Sequence, residues 1–229
     1  MKISNRLIEV SKYVTPGYRV ADIGTDHGYV PIYLMDNKLA TYVIAMDVNQ
    51  GPLKRAELNI RENGYEDVIE TRLSNGFEKL NVLETDVAVI AGMGGELIKK
   101  ILIEGKEVVD SLKELVISPH SDIDIVRKYL HEIGFRIICE KMLIDEEKFY
   151  TIIKVQKGKD KDYSEVEYKY GAILLDNKDL ILKEFLMNQL NKYILIEKRL
   201  MNEKTDNSIC RLKQIQEDIQ EIKGILENY

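Results

Sequence analysis

Eight consecutive residues, Asp22-Ile23-Gly24-Thr25-Asp26-His27-Gly28-Tyr29, crowd acidic, hydroxyl, imidazole and glycine groups into one short segment. The glycines would let a ligand approach the backbone and would present helix N-terminal N–H groups to it. A dinucleotide site would read G-x-G-x-x-G, in which the small second glycine makes room for a pyrophosphate. Asp26 fills that slot here, and its carboxylate would repel one. With Asp22 ahead of the first glycine, the segment suits a cation, such as the ammonium and sulfonium of S-adenosylmethionine (SAM). A glycine turn in a plain sheet protein would show the same composition.

Three further segments could act with it. Asp47 lies 23 residues after Gly24, the spacing at which an acidic side chain meets ribose hydroxyls. Asn75-Gly76 stands where an amide can turn toward an adenine ring, or is a simple turn. Ala91-Gly92-Met93-Gly94-Gly95 lacks the Asn-Pro-Pro-aromatic tetrapeptide with which amino-group methyltransferases commonly hold an exocyclic amine. Its glycines would instead bring a flat base close to the backbone with Met93 packed against it, or form only a strand-to-helix turn. His27, between Asp26 and a glycine turn, is assigned to the site. Arg6, in an N-terminal helix that would cap the cofactor, makes either a salt bridge or a substrate contact. His131 has no second ligand at i+4 and reads as a surface residue. Cys139 reads as core, and Cys210 has no basic or metal partner evident.

Positioning such groups takes a sheet whose strand ends line up, and the chain is long enough to build one. It has 229 residues, of which 45% are hydrophobic and 31% charged, which excludes a wholly disordered or collagenous chain. Two distant cysteines offer neither a disulfide framework nor a zinc ribbon, so a reducing cytoplasm fits and no metal is expected. The first residues mix charge into apolar positions, and no apolar run approaches the ~18 residues of a membrane span. A soluble, unprocessed chain with no membrane partner is expected.

Runs at 19–24, 42–48, 68–74, 86–92, 114–119, 135–146 and 148–157 read as seven strands, with helices at 28–37, 50–63, 94–104 and 123–134. Strands alternating with helices argue for a parallel sheet with right-handed crossovers, and the tight charged turn between the last two runs argues for an antiparallel hairpin. Five parallel strands ending in such a hairpin is the order of Rossmann-like methyltransferases, whereas a dehydrogenase would continue with another crossover. The predicted fold is thus α/β, with a methyltransferase domain over 1–158 and a helical extension over 159–229, following a charged linker at 158–165. Leu182, Phe185, Gln189, Tyr193, Ile196 and Leu200 step by three and four residues, as do Leu212, Ile215, Ile219, Ile222, Leu226 and Tyr229. Two long helices are predicted, folded back as an antiparallel coiled-coil hairpin with Asp206, Asn207 or Ser208 as N-cap of the second.

The net charge of −6 weighs modestly against a nucleic-acid partner, whose phosphates would require a local basic face. Lys198, Arg199, Lys204, Arg211 and Lys213 gather positive charge at the predicted hairpin tip. That hairpin would be an RNA clamp or a dimerisation arm.

Taken together, DIGTDHGY, the AMDVN strand end, LSNGF, the AGMGG loop and the C-terminal coiled coil closely resemble the TrmK family of bacterial tRNA (adenine-N1)-methyltransferases, which modify adenine 22. The likeness covers nearly the whole chain. It implies a SAM site at Asp22, Gly24, Thr25, Asp26, His27 and Gly28, continued by Asp47, Val48, Asn75, Gly76 and Ala91. It also implies that Gly92, Met93, Gly94 and Gly95 face the target base, with Asp26, His27, Gly92, Met93 and Gly94 as the catalytic set. Where the family often shows a Gln-Pro-Asn type of turn, this chain has Ser118-Pro119-His120. Adenine N1 owns an in-plane lone pair, so its methylation requires no prior deprotonation, only alignment of nitrogen and methyl, worth up to ~7–11 kcal/mol in well-oriented systems. Because N1 lies on the Watson–Crick edge, the base must be unpaired or flipped. The competing expectations are a small-molecule methyltransferase of the same fold and a non-enzymatic SAM- or nucleotide-binding module with a coiled-coil partner surface. A monomer is preferred to a coiled-coil-mediated dimer.

Overall fold

Strands rich in Val, Ile and Ala alternate with amphipathic helices along the first two-thirds of the chain. The computed structural model describes residues 3–202 and 205–229, and these fall into two compact units, Met1–Ala172 and Ile173–Tyr229. The first unit runs α1 (Asn5–Lys12), β1 (Tyr18–Ile23), α2 (Tyr29–Asp36), β2 (Ala40–Asp47), α3 (Gln50–Glu62), β3 (Ile69–Leu73) and β4 (Val87–Met93). It continues with α4 (Gly95–Glu104), α5 (Lys106–Ser111), β5 (Glu114–Pro119), α6 (Ile123–Glu132), β6 (Phe135–Asp145), β7 (Lys148–Lys157) and α7 (Glu165–Tyr170). The seven strands form one sheet in the order β3-β2-β1-β4-β5-β7-β6. Strands β1 to β5 are parallel, and β7 is antiparallel to both β5 and β6.

Helices on both faces explain why the central strands are apolar without alternation: all six residues of β5 and the last four of β1 are buried. Strand order reverses at β1, which lies between β2 and β4. That switch point leaves a crevice beyond the carboxyl ends of β1 and β4, the place where open α/β sheets take their ligands.

Two short helices of the first unit, like the five-residue helix at Ala172–Asp176, have no counterpart in the periodicity. Helix α5 is six residues long, too short for a 3.6-residue pattern to register. Helix α7 begins at the end of the stretch that reads as a charged linker, where Ser164 and Glu167 form a capping box. A buried ion pair holds it: Arg127 Nε donates to Glu140 Oε1 at 2.7 Å and Arg127 Nη1 donates to the Tyr168 and Lys169 carbonyls at 2.8 and 3.2 Å. His131, expected at the surface, is instead packed between Tyr163 and Tyr168, with ring centroids 4.6 and 5.5 Å away. Its side chain is 12% exposed, because the residues that cover it come from α7 and the segment before it.

The second unit contains α9 (Leu180–Leu200) and α10 (Asp206–Leu226), preceded by α8 (Ala172–Asp176). Gln216 donates to Glu197 at 3.0 Å and the Lys183 ammonium lies 5.7 Å from the Tyr229 ring centroid, so the two long helices run antiparallel. Leu182, Leu186, Ile215, Ile219 and Ile222 form the buried seam. Ile196 falls outside it and is exposed. The N-cap of α10 is Thr205, one residue before the three expected positions. Its hydroxyl accepts from the Ser208 N–H while the Ser208 hydroxyl accepts from the Thr205 N–H, so Ser208 closes a capping box as third helical residue. Lys204 lies outside the described residues.

Candidate active site

The segment from Asp22 to Tyr29 leaves β1 and enters α2 through three residues of positive φ: Gly24 (+83°), His27 (+60°) and Gly28 (+68°). The N–H groups of Gly24 and Thr25 both donate to the Met46 carbonyl at 2.8 Å, which ties the end of β1 to β2. His27 is not a glycine, and its left-handed conformation costs roughly 1–3 kcal/mol. Asn59 of α3 stabilises it by donating to the His27 carbonyl at 2.8 Å, and the imidazole stacks on Tyr29 with 5.1 Å between centroids.

A cavity of about 300 Å³ opens beside this loop. Asp22, Gly24 and Asp26 line it from β1 and its loop, Tyr29 and Val30 from α2, and Ala91 and Gly92 from β4. Arg6 and Leu7 of α1 and His120, just past β5, complete the wall. Asp22 is 5% exposed, and among the described residues no cation pairs with it. Burial pushes its carboxyl up to about 7, against the pull of the Thr25 hydroxyl and with a further push from the Asp47 charge. Asp26 differs: its side chain is 62% exposed, and Arg55 Nη2 meets its carboxylate at 3.1 Å while His27 Nε2 stands 3.7 Å away. Arg55 comes from α3, and no local sequence signal connects it with Asp26.

Across the cavity floor Gly92, at φ +84°, separates two cationic-type side chains. A Cβ there would stand 3.9 Å from Arg6 Nη2 and 3.8 Å from His120 Nε2. Burial holds the His120 imidazole below its ordinary pKa, and the neighbouring Arg6 charge lowers it further. The Tyr150 ring underlies both groups, 5.0 Å from the Arg6 guanidinium carbon and 5.9 Å from the His120 ring. The Ser118-Pro119-His120 turn therefore supplies a cavity residue, which its departure from the family pattern left open.

The other glycines of the loop after β4 serve packing. The N–H of Gly95 donates to the Ser121 carbonyl at 2.9 Å, and a Cβ on it would come within 2.3 Å of the Asp122 carbonyl oxygen. Gly94 is the N-cap of α4. The Met93 side chain lies over Gly24, where a Cβ would come within 2.2 Å of its methyl carbon. Met93 thus joins the loops after β1 and β4 and does not line the cavity. Thr25, His27, Gly28 and Gly94 are likewise neighbours of the cavity without lining it.

Asp47, Val48, Asn75 and Gly76 sit further along the same carboxyl edge, at β2 and just past β3, outside the cavity wall. Asp47 Oδ1 accepts from the Asn49 N–H at 2.6 Å, and Val48 is 59% exposed. Asn75 Nδ2 donates to Glu78 at 2.9 Å, and Gly76, at φ +53°, passes the Ile101 side chain. Among the described residues, no group of three or more His, Cys, Asp or Glu stands close enough to hold a metal ion, and no helix is long and apolar enough to cross a membrane.

A family model described as tRNA (adenine(22)-N(1))-methyltransferase, TrmK, matches residues 20–224. The chain belongs to the TrmK family. The tRNA (adenine(22)-N(1))-methyltransferase of Bacillus subtilis is 26% identical over all of this chain and 98% of its own length. A Streptococcus agalactiae protein of the NADB-Rossmann superfamily is 33% identical, with 99% of this chain and 98% of that one covered at a TM-score of 0.90. The TrmK of M. capricolum, solved with the cofactor product S-adenosylhomocysteine, is 28% identical with 99% of each chain covered at a TM-score of 0.86. The TM-scores over nearly the whole chain show that both solved proteins share this Rossmann-like fold.

Proposed function

We propose that this TrmK chain transfers a methyl group from SAM to N1 of adenine 22 in tRNA, at the cavity between β1 and β4. The observation that carries the reading is Asp22: a buried carboxyl paired with no cation among the described residues, at the switch point of the sheet, in a wall shared with Gly92. A cofactor bearing an ammonium group compensates that carboxylate. When bound, SAM supplies an electrophilic methyl on a sulfonium. Asp22 holds the ammonium, while Asp47, with Oδ1 taken by its own turn, offers its second oxygen to the ribose hydroxyls. Asn75 would serve the adenine ring, and Val48 and Ala91 would offer apolar surface to the cofactor. Thr25 and Gly28 shape the loop, and Gly76 lets the chain turn past Ile101.

For the acceptor, Gly92 keeps the floor low enough for a flat base to reach the methyl, and Gly94 directs α4 away from it. Met93 fixes Gly92 relative to Gly24, so it positions without touching the base. Asp26 and His27 stand at the rim, with the Asp26 carboxylate oriented by Arg55. The product base carries a positive charge, and a neutral His120 imidazole spares it the repulsion a protonated one would exert; burial and Arg6 favour that neutral form. No group has to remove a proton from N1 before transfer.

Incubating the full chain with unmodified tRNA and methyl-labelled SAM, then analysing digested nucleosides by mass spectrometry, tests this. The expected product is N1-methyladenosine, mapped to position 22; label on another nucleoside, or none, refutes the assignment. For the second unit we favour an RNA clamp within a cytoplasmic monomer, because Lys198, Arg199, Arg211 and Lys213 flank the turn between α9 and α10, and the seam residues Leu182, Leu186, Ile215, Ile219 and Ile222 are covered within one chain.

A further inference from the structure

The strand order divides the cavity between two reactants. Asp22, Asp47 and Asn75 belong to the ends of β1, β2 and β3, so the cofactor proposed above extends from the switch point toward the β3 edge. The base must then enter from the opposite side, over β4 and β5. His120 is the side chain that the turn after β5 contributes to the cavity wall. That turn is tied to the loop after β4: the His120 N–H donates to the Met93 carbonyl at 2.8 Å and the Gly95 N–H to the Ser121 carbonyl at 2.9 Å. Asp122 leaves it at φ +53°, a left-handed conformation uncommon for a residue with a Cβ.

An adenine entering this cavity carries a 6-amino group beside N1, and that group gives up its hydrogen bonds to water. The loop from Ala91 to Gly95 has no polar side chain to receive it. The Arg6 guanidinium only donates. Asp26 is engaged by Arg55 at the rim, and Asp22 lies on the cofactor side. His120 can accept. Burial and the Arg6 charge favour its neutral ring, and the Gly92 carbonyl draws one ring N–H to itself, which leaves the second nitrogen bare.

We propose that the His120 imidazole accepts a hydrogen bond from the 6-amino group of the target adenine and thereby selects adenine for methylation. This rests on the function proposed above and names the residue that reads the base. In the transfer, the N1 lone pair forms the new nitrogen–carbon bond while the methyl–sulfur pair returns to sulfur, and no proton leaves. The resulting positive charge is shared between N1 and the 6-amino nitrogen, whose N–H becomes a stronger donor. Its bond to His120 therefore strengthens during transfer and lowers the barrier as well as holding the base. Guanine, with a proton on N1 and an oxygen at position 6, would set an acceptor against the bare nitrogen and is refused.

The test uses the full chain and tRNA assembled from synthetic halves, with adenosine or purine riboside, which lacks the amino group, at position 22. The intrinsic reactivity of N1 differs between the two bases, but equally for every variant, so a change in preference isolates the contact. His120→Phe should lower the preference for adenosine in kcat/KM about 10- to 100-fold relative to wild type, mainly through kcat. His120→Gln, whose amide oxygen can accept, should retain part of it. Calorimetry should show unchanged S-adenosylhomocysteine affinity in both variants. A preference that survives intact in His120→Phe overturns the proposal, as does one that disappears instead in Tyr29→Phe, the other uncharged hydrogen-bonding side chain of the wall. Lost S-adenosylhomocysteine affinity in His120→Phe overturns it by placing the imidazole on the cofactor. If the wild-type protein methylates neither tRNA at position 22, the function proposed above fails and this proposal with it, a result distinct from an unchanged preference.

Discussion

Asp22→Asn keeps the shape of a buried side chain and removes its charge, which makes cofactor binding a pH experiment. With the carboxyl at about 7 in the ligand-free protein, about one-eleventh of molecules carry the carboxylate at pH 6 and about ten-elevenths at pH 8. A cofactor ammonium pairs only with the ionised form, so affinity should rise about tenfold between those pH values, with a proton released on binding. At pH 8 the Asn variant should bind about 10- to 100-fold more weakly, from the loss of about 1.5–3 kcal/mol of charge-assisted hydrogen bonding. At pH 6 the gap should shrink about tenfold. The ligand's own amine titrates near 7.7–8.0, but equally for both proteins, so the ratio of their dissociation constants isolates Asp22. Calorimetry with S-adenosylhomocysteine in buffers of different ionisation enthalpy reads both affinity and proton release. Parallel pH profiles for the two proteins would refute the reasoning. The stability of the ligand-free protein has the opposite sign. Between about pH 4 and 7 the native state binds more protons than the unfolded one, so wild-type stability should fall as pH rises through that window, on the order of 4 kcal/mol at most. The variant should lack this fall in urea titrations.

Asp47→Ala should weaken S-adenosylhomocysteine binding about 10- to 100-fold by loss of charge-assisted bonds to ribose; unchanged affinity in a folded variant would remove Asp47 from the site. Arg127→Ala strands the buried Glu140 carboxylate and frees the carbonyls of α7, and should cost about 3–5 kcal/mol in urea unfolding, with equal stability counting against the ion pair as the anchor of α7. Neutralising Lys198, Arg199, Lys204, Arg211 and Lys213 together should weaken tRNA binding and reduce its salt slope while leaving S-adenosylhomocysteine affinity intact. Normal tRNA binding by that variant would favour a dimerisation arm over a clamp.

Most of the architecture was legible in the sequence because it is written in local periods. Buried parallel strands appear as short β-branched runs, the two long helices as three-and-four spacing, and the tight Glu146-Glu147 turn announces the antiparallel pairing of β6 with β7. The loop from Asp22 to Tyr29 was equally readable, since its glycines adopt the positive φ that local geometry demands. Helices α5, α7 and α8 were not, because one or two turns carry too few residues for a period, and α7 depends on Arg127, about 40 residues earlier. The site's electrostatics were decided by tertiary structure alone. Nothing adjacent in sequence says that Arg6, His120 and Tyr150 converge on Gly92, that Arg55 meets Asp26, or that Met93 rests on Gly24. Charge and residue type belong to the chain, but whether a carboxylate is hidden from water, paired or left waiting for a ligand depends on which distant elements close around it.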